Sequence, residues 1–395
     1  MNILSLESLR NCTSCQFCGA VCPKNAITIK LNRKGFYRPE VDNKLCIDCS
    51  LCVNTCYKYD KQVSITDAQD LDKTQLFAVS AKDSDLLNNT TSGGVADLLA
   101  KELILQGYHV VGVIYDFETN RASHKIAVTL DETIGFRGSK YIQPYSFDSL
   151  NTLLSNIKEQ KYAFFGLPCH IYALSKYLNQ HKLRDRCVLI DLFCHGCPSM
   201  HVWDKTVKMI KKKLKVEQLD KVNFRSKVYG WGRFAIEAKA NGNTYFSTPL
   251  HNEFYNLFFS NQVLNDSCTD CQLRSTLAYT DIRLGDFWGK KFKNNRKGIS
   301  GVSLVTTAGK LLFDSIKEQL VCETQDYNDF LPYQSWMHTY KINNQNRDSL
   351  FTLLEDPLIS VEAVSKKITN ERSFITKIKV LIKHILFCYF YKHSR

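Results

Sequence analysis

Two runs of cysteine share one spacing. Cys12, Cys15, Cys18 and Cys22 follow C-x2-C-x2-C-x3-C, and Cys46, Cys49, Cys52 and Cys56 repeat it 34 positions later. A repeat of this kind means two copies of one small unit. Four thiols within eleven residues are too crowded for ordinary core side chains. Three such thiolates suit three corners of an iron–sulfur cube, and the fourth of each run points away to complete the other cube. On that pattern one 4Fe–4S cluster takes Cys12, Cys15, Cys18 and Cys56, and the other takes Cys46, Cys49, Cys52 and Cys22. Zinc is the competing metal, but it favours two CxxC pairs well separated in sequence over a duplicated eight-thiol run.

Residues 1–60 therefore resemble a bacterial-type ferredoxin domain with two 4Fe–4S clusters, an α+β unit that moves single electrons. Pro23 follows the first run as that pattern expects; Tyr57 stands in the matching place after the second, a change that affects a turn and no ligand. The first ten residues, "MNILSLESLR", show no basic stretch followed by an apolar one. Without a leader of that kind, sixteen cysteines point to metal or redox chemistry in a reducing cytoplasm, not to disulfides. At 395 residues and 44% apolar content, the chain predicts a globular protein of several domains.

Residues 61–75 are polar and irregular and read as a linker. "TTSGGVADLLAKELILQGYHVVGVIYD" (90–116) predicts a glycine turn, an amphipathic helix, a stop at Gly107 and a buried strand. Thr91, Ser92, Gly93 and Gly94 would leave backbone amides at a helix start, which suits an anion, although the same residues make a good helix cap. "KYAFFGLPCHIYALSKYL" (161–178) and "CVLIDLFCHGCPSMHVWDKTV" (187–207) share the strand–turn–helix grammar. They place Cys169 and Cys194, His195 and Cys197 at strand ends, where α/β sheets build sites. Cys268 and Cys271 add a CxxC ahead of "DIRLGDFWG". No G-x-G-x-x-G follows a strand, so a Rossmann nucleotide site is not supported.

"TSGGV", "GSKYIQ", "GLPCHIYAL", "DLFCHGCPS" and the CxxC with "DIRLGDFWG" occur in that order. Together they resemble the family of coenzyme F420 hydrogenase/dehydrogenase beta subunits, whose relatives include 7-hydroxymethyl chlorophyll a reductase. The resemblance covers roughly residues 75–310 and implies an α/β flavin-binding body behind the ferredoxin unit. Its expected parts are an N-terminal family domain (76–150) and a C-terminal one (151–330). It implies FAD and a third 4Fe–4S cluster on Cys169, Cys194, Cys268 and Cys271. Cys197 departs from the family pattern and creates a second CxxC, so a zinc site of Cys194, Cys197, Cys268 and Cys271 competes. For the flavin the candidates are Thr91, Ser92, Gly93, Gly94, Ser139, Lys140 and Tyr141. His195 is a weak candidate for proton transfer, with a hydrogen-bonded supporting role as its alternative. Cys187, Cys322 and Cys388 read as small apolar residues.

The formal charge is +13. Runs such as "KMIKKKLK" (208–215) and "KKFKNNRK" (290–297) read as solvated faces, or as contacts for an acidic partner, flavin phosphates or anionic lipid. No nucleic-acid motif accompanies them. Residues 331–395 form a basic tail, expected to be helical, whose end "FITKIKVLIKHILFCYFYKHSR" is too short in its apolar run to span a bilayer and is suited to peripheral membrane contact or packing. The whole reads as an iron–sulfur flavoprotein oxidoreductase serving an organic substrate or a deazaflavin-type coenzyme, with a ferredoxin- or flavodoxin-like redox partner. Two alternatives are an electron-input subunit docked to a catalytic subunit, and a metal-stabilised accessory protein of polysaccharide synthesis.

Overall fold

The 34-residue sequence repeat is also a repeat of the backbone. In a computed structural model, which describes residues 1–4, 10–370, 378 and 382, the helix Phe17–Ala20 is matched by Leu51–Asn54. Ser14 and Gln16 are left-handed (φ 65° and 64°), and so are Asp48 and Ser50 (52° and 65°), each pair offset by the same step. Left-handed backbone costs a non-glycine residue about 1–2 kcal/mol, so both cysteine loops carry strain of the kind found at functional sites. Between the two copies, β1 (Ile27–Leu31) and β2 (Tyr37–Val41) form an antiparallel hairpin that pairs Ile27 with Val41 and Leu31 with Tyr37.

The body is built on a sheet of nine strands, beginning with β3 (Gln75–Ala81), β4 (His109–Asp116), β5 (Arg121–Ala127) and β6 (Pro144–Tyr145). It continues with β7 (Tyr162–Phe165) and β8 (Cys187–Leu192). A separate antiparallel sheet holds β9 (Lys221–Ser226), β10 (Ala235–Ala240) and β11 (Asn243–Phe246). β12 (Ile282–Asp286), β13 (Ser300–Leu304) and β14 (Leu320–Gln325) return to the large one. Its order is β14-β3-β13-β12-β8-β7-β4-β5-β6, with β4, β7, β8 and β12 parallel to their neighbours in that run. Strands from both sides of residue 150 thus share one sheet. "YAFF" and "CVLIDL" are near-continuous apolar runs, as strands covered on both faces require.

The predicted turn, helix and stop at 93–107 are present: Gly94 caps Val95–Leu105 at φ 81°, and Gly107 leaves it at φ 79°. The helix Pro168–Gln180 opens with proline in its first turn, where the missing N–H is not needed. The segment expected as a linker contains the short helix Ala68–Asp72, capped by Asp67, and Thr66 Oγ1 accepts from the backbone N–H of Leu277 at 2.7 Å. The expected tail opens with two helices, Asn344–Glu355 and Val361–Asn370, the second packed on the helix Glu253–Phe258. Its basic apolar end, with Cys388, lies outside the described residues apart from 378 and 382. Among the described residues, no helix is long and apolar enough to cross a membrane.

The ferredoxin-like unit is seated in the body. Phe17, Ile27 and Val53 share one core with Leu150, Leu153, Ile171 and Leu174. The left-handed turn aims buried Gln16 outward, and its Oε1 accepts from the backbone N–H groups of Ser146 (2.8 Å) and Phe147 (3.1 Å). A ferredoxin side chain therefore caps a body helix, Phe147–Asn156. On the other flank, the hairpin loop offers Gly35 O to the N–H of Met200 at 2.9 Å, at the start of the helix Met200–Leu214.

Candidate metal centres

Each cysteine loop contributes to two cavities. One is lined by Cys46, Cys49 and Cys52 together with Cys22 from the first run. The other is lined by Cys12, Cys15 and Cys18 together with Cys56, and Cys52 also reaches it. The structure thus brings the eight thiols together in the crossed sets expected from their spacing. Burial pushes Cys15 up to about 11, helped by the neighbouring Cys12 thiol. Burial likewise raises Cys18 well above the usual thiol range, with Cys12, Cys15, Cys56 and Cys52 adding to the effect. Thiols that face one another out of water cannot all ionise without a compensating cation, and metal coordination is what deprotonates such groups outright. The donor set therefore fits an iron–sulfur cube at each cavity.

A third group of sulfurs lies in the body. Cys169 sits in the first turn of Pro168–Gln180, just past β7, and Cys194 follows β8. Loop residues bring Cys268 and Cys271 to them: burial pushes Cys194 up to about 12, reinforced by Cys268 and Cys271. Burial also raises Cys169 well above the usual range, reinforced by Cys15 of the ferredoxin unit and by Cys197, Cys194 and Cys271. Cys197 is buried among the same sulfurs, and its backbone N–H donates to Cys268 Sγ at 3.5 Å. Gly196 makes this turn possible: its φ is +146°, and a Cβ there would meet Leu264 at 2.9 Å and Cys268 Cβ at 3.2 Å. Ser267 Oγ is buried next to Cys268, and its hydroxyl helps lower that thiol against burial. Among the described residues, no three His, Cys, Asp or Glu side chains converge to hold a single metal ion. The thiol chemistry and the glycine turn fit a cluster at this third position as well.

The two flavin segments meet: the backbone N–H of Ser139 donates to Thr91 Oγ1 at 2.8 Å. Their donors, however, are engaged by the protein. Gly93 N–H goes to Ser300 Oγ (3.0 Å), and Ser92 Oγ goes to Ile299 O (2.9 Å). A Cβ on Gly93 would lie 2.2 Å from Val79 O, so close strand packing accounts for that glycine. Lys140 Nζ donates to the carbonyls of Gly135, Phe136 and Arg137, and burial lowers its pKa to about 7. Tyr141 OH accepts from Arg225, which pairs with Asp286 at 2.9 Å and lies 3.9 Å from the Phe234 ring. These residues build a packed turn and leave no free phosphate cradle among them, so a flavin held by this chain would take its contacts from other residues.

His195 is likewise held in hydrogen bonds. Its Nε2 faces Asn261 Oδ1 at 2.8 Å, and its Nδ1 faces the hydroxyls of Ser335 (3.2 Å) and Tyr340 (3.1 Å). Burial lowers its pKa to about 4, so it stays neutral and supports the Cys194 loop.

Sequence reasoning missed the cation of this centre. Arg274 is 4% exposed, donates to the carbonyls of His338 and Cys268, and lies 4.3 Å from the Tyr340 ring. Its charge lowers the thiols of Cys194, Cys268 and Cys271, against burial. A lone arginine three residues past a CxxC carries no signal until its neighbours are known.

Residues 11–58 match the family model described as 4Fe-4S dicluster domain, and residues 159–329 match the model for the C terminus of the coenzyme F420 hydrogenase/dehydrogenase beta subunit. The chain is 22% identical over 320 residues to the F subunit of F(420)H(2) dehydrogenase from Methanosarcina mazei, covering 78% of this chain and 83% of that protein. It is similar to a chain of the F420-reducing NiFe hydrogenase complex of Methanosarcina barkeri, at 14% identity with a TM-score of 0.47, over 75% of this chain and 90% of that one. The chain thus joins a 4Fe-4S dicluster domain at residues 11–58 to a mixed α/β body whose residues 159–329 match the C-terminal domain of coenzyme F420 hydrogenase/dehydrogenase beta subunits.

Proposed function

We propose that the chain relays single electrons through three cysteine-held 4Fe–4S centres and exchanges them in pairs, through a flavin, with a deazaflavin-type coenzyme or another reducible organic molecule. The observation that carries this reading is the continuity of the sulfurs. Cys52 of the outer set also lines the cavity of Cys12, Cys15, Cys18 and Cys56, and Cys15 acts on the thiol of Cys169, which supports reading the three groups as one series. Cys49 of the first-named cavity is exposed, which places one end of the series at the surface, where a partner has access. Leu45 and Ile47, 51% and 58% exposed, flank it with apolar surface.

Clusters, when held there, supply one-electron carriers, and a flavin supplies the conversion to pairs. The chain's own part is to fix the centres and exclude water. Cys12, Cys15, Cys18 and Cys56 hold one centre, Cys22, Cys46, Cys49 and Cys52 the outer one, and Cys169, Cys194, Cys268 and Cys271 the inner one. Arg274 offsets negative charge at the inner centre, and His195, Ser335 and Tyr340 brace its loop. The flavin rests on the family relationship and has no assigned contacts. The Methanosarcina mazei relative is named as one subunit of a dehydrogenase, which supports work within a complex that includes a catalytic partner.

Purification without oxygen, with iron, acid-labile sulfide and flavin counted per chain, tests the proposal. About twelve irons and one flavin are expected. Eight irons with zinc, or a flavin-free chain that still reduces its coenzyme, would contradict it.

A further inference from the structure

Tyr57 is the one departure from the ferredoxin spacing, and it lies between two centres. It follows Cys56, a thiol of the first-run centre, and is 3% exposed. Its hydroxyl accepts from the backbone N–H of Gln272 at 3.0 Å, and Gln272 follows Cys271 of the inner centre. A proline at this position would offer neither ring nor hydroxyl. The ring lies edge-on to Tyr172 at 5.6 Å and carries the Arg10 guanidinium at 4.8 Å. Arg10 also donates to Gln272 Oε1 at 2.7 Å and to Asp60 O, and Asp60 in turn binds the Tyr172 hydroxyl and Lys176. Both Tyr172 and Lys176 belong to the helix that begins at Pro168 and Cys169. A buried aromatic and polar rivet therefore ties the end of the ferredoxin unit to two of the three segments that carry inner sulfurs.

We propose that Tyr57 is the link through which the first-run and inner centres exchange electrons, a role that rests on the three-centre reading above. The route runs from Cys56 along one residue of covalent chain, through the ring and the hydroxyl hydrogen bond to Gln272, and along one more residue to Cys271. One electron leaves the centre on Cys12, Cys15, Cys18 and Cys56, and one arrives at the centre on Cys169, Cys194, Cys268 and Cys271, or the reverse. No bond forms or breaks, and the hydroxyl keeps its proton. The competing route is the direct approach of Cys15 to Cys169.

The variant Y57F removes the hydroxyl alone, and R10Q loosens the same contact while leaving the Tyr57–Gln272 bond in place. Both are purified anaerobically, their iron is counted and their cluster potentials titrated, and the arrival of a photochemically injected electron at the inner centre is timed. The expected result is full iron and unchanged potentials in both variants, with transfer several-fold slower in Y57F and unaltered in R10Q. Unchanged transfer in Y57F would mean that electrons cross directly between Cys15 and Cys169, and equal slowing in both would assign the effect to a loosened contact; either overturns the role. Loss of inner iron from Y57F would also overturn it, because the hydroxyl would then be holding the Cys271 loop and not conducting. A parent chain without inner iron fails at the three-centre reading itself, before any variant is made.

Discussion

Cys197 and Cys194 sit close together in one turn among the inner sulfurs, and the proposed ligand set takes Cys194 and leaves Cys197 out. Cys194 follows β8, while the backbone of Cys197 donates its N–H to Cys268 Sγ and accepts from the N–H of Asn265. A serine at 197 keeps that N–H and the small volume. Cys197→Ser is therefore expected to retain the full iron content, and Cys194→Ser to lose about one third of it, roughly four of some twelve irons. Iron and sulfide analysis of the two purified variants checks this, and loss from Cys197→Ser would move the ligand assignment. The eight N-terminal thiols were legible from spacing, because an iron–sulfur cube constrains its ligands locally, whereas the inner four came only from a family resemblance. Gly93 misled for the opposite reason: a serine–glycine turn before a helix looks like an anion cradle, but its glycine answers to the carbonyl of Val79 on a neighbouring strand. Tyr57 and Gln272 are 215 residues apart, and nothing in the sequence announces their bond.

At the level of elements, the parallel pair β8 and β12 is fastened by a buried ion pair. Arg283 donates to both oxygens of Asp191, and both side chains are almost fully buried. Burial raises the Asp191 pKa even against the pull of Arg283. Removing one partner leaves a buried charge uncompensated, so Arg283→Met should cost about 3–5 kcal/mol in urea unfolding, whereas the double change with Asp191→Leu should recover most of it. Equal losses in the single and double variants would contradict the pairing. A second element-level feature joins β5, β7 and the helix Pro168–Gln180 through two neutral histidines. His170 Nδ1 accepts from the N–H of Leu167, its Nε2 faces Ser146 Oγ, and Ser146 Oγ faces His124 Nδ1, while His124 Nε2 donates to Phe165 O.

Burial lowers His124 to about 4 and His170 well below its usual range. Below about pH 6.5 the unfolded chain binds protons that the folded one refuses, so stability falls as the pH drops from about 6.5 toward 4. Unfolding at about pH 7 and pH 5 should show that loss, and His124→Asn should reduce it; a pH-independent stability would contradict the account. The strand–turn–helix grammar behind these elements was readable because apolar runs and glycines act locally. The antiparallel end of the sheet, β14, β3 and β13, was not, because its pairings bring together strands from opposite ends of the body.

For the whole molecule, the telling feature is that the ferredoxin unit is docked and not tethered. Gln16 caps a body helix, Gly35 receives a second one, and the apolar residues of the unit share a core with body helices. The proposed relay then needs no swing of a domain, and the distance from Cys15 to Cys169 is set by packing. The order of the centres was hidden from the sequence, since spacing shows which sulfurs belong together but not which group lies beside which. The most direct test is low-temperature electron paramagnetic resonance of the anaerobically purified, fully reduced chain. Three spin-carrying centres per chain, with lines broadened by mutual interaction, are predicted. Two centres with no third signal, or three that ignore one another, would contradict a continuous series of sulfur-held iron through the protein.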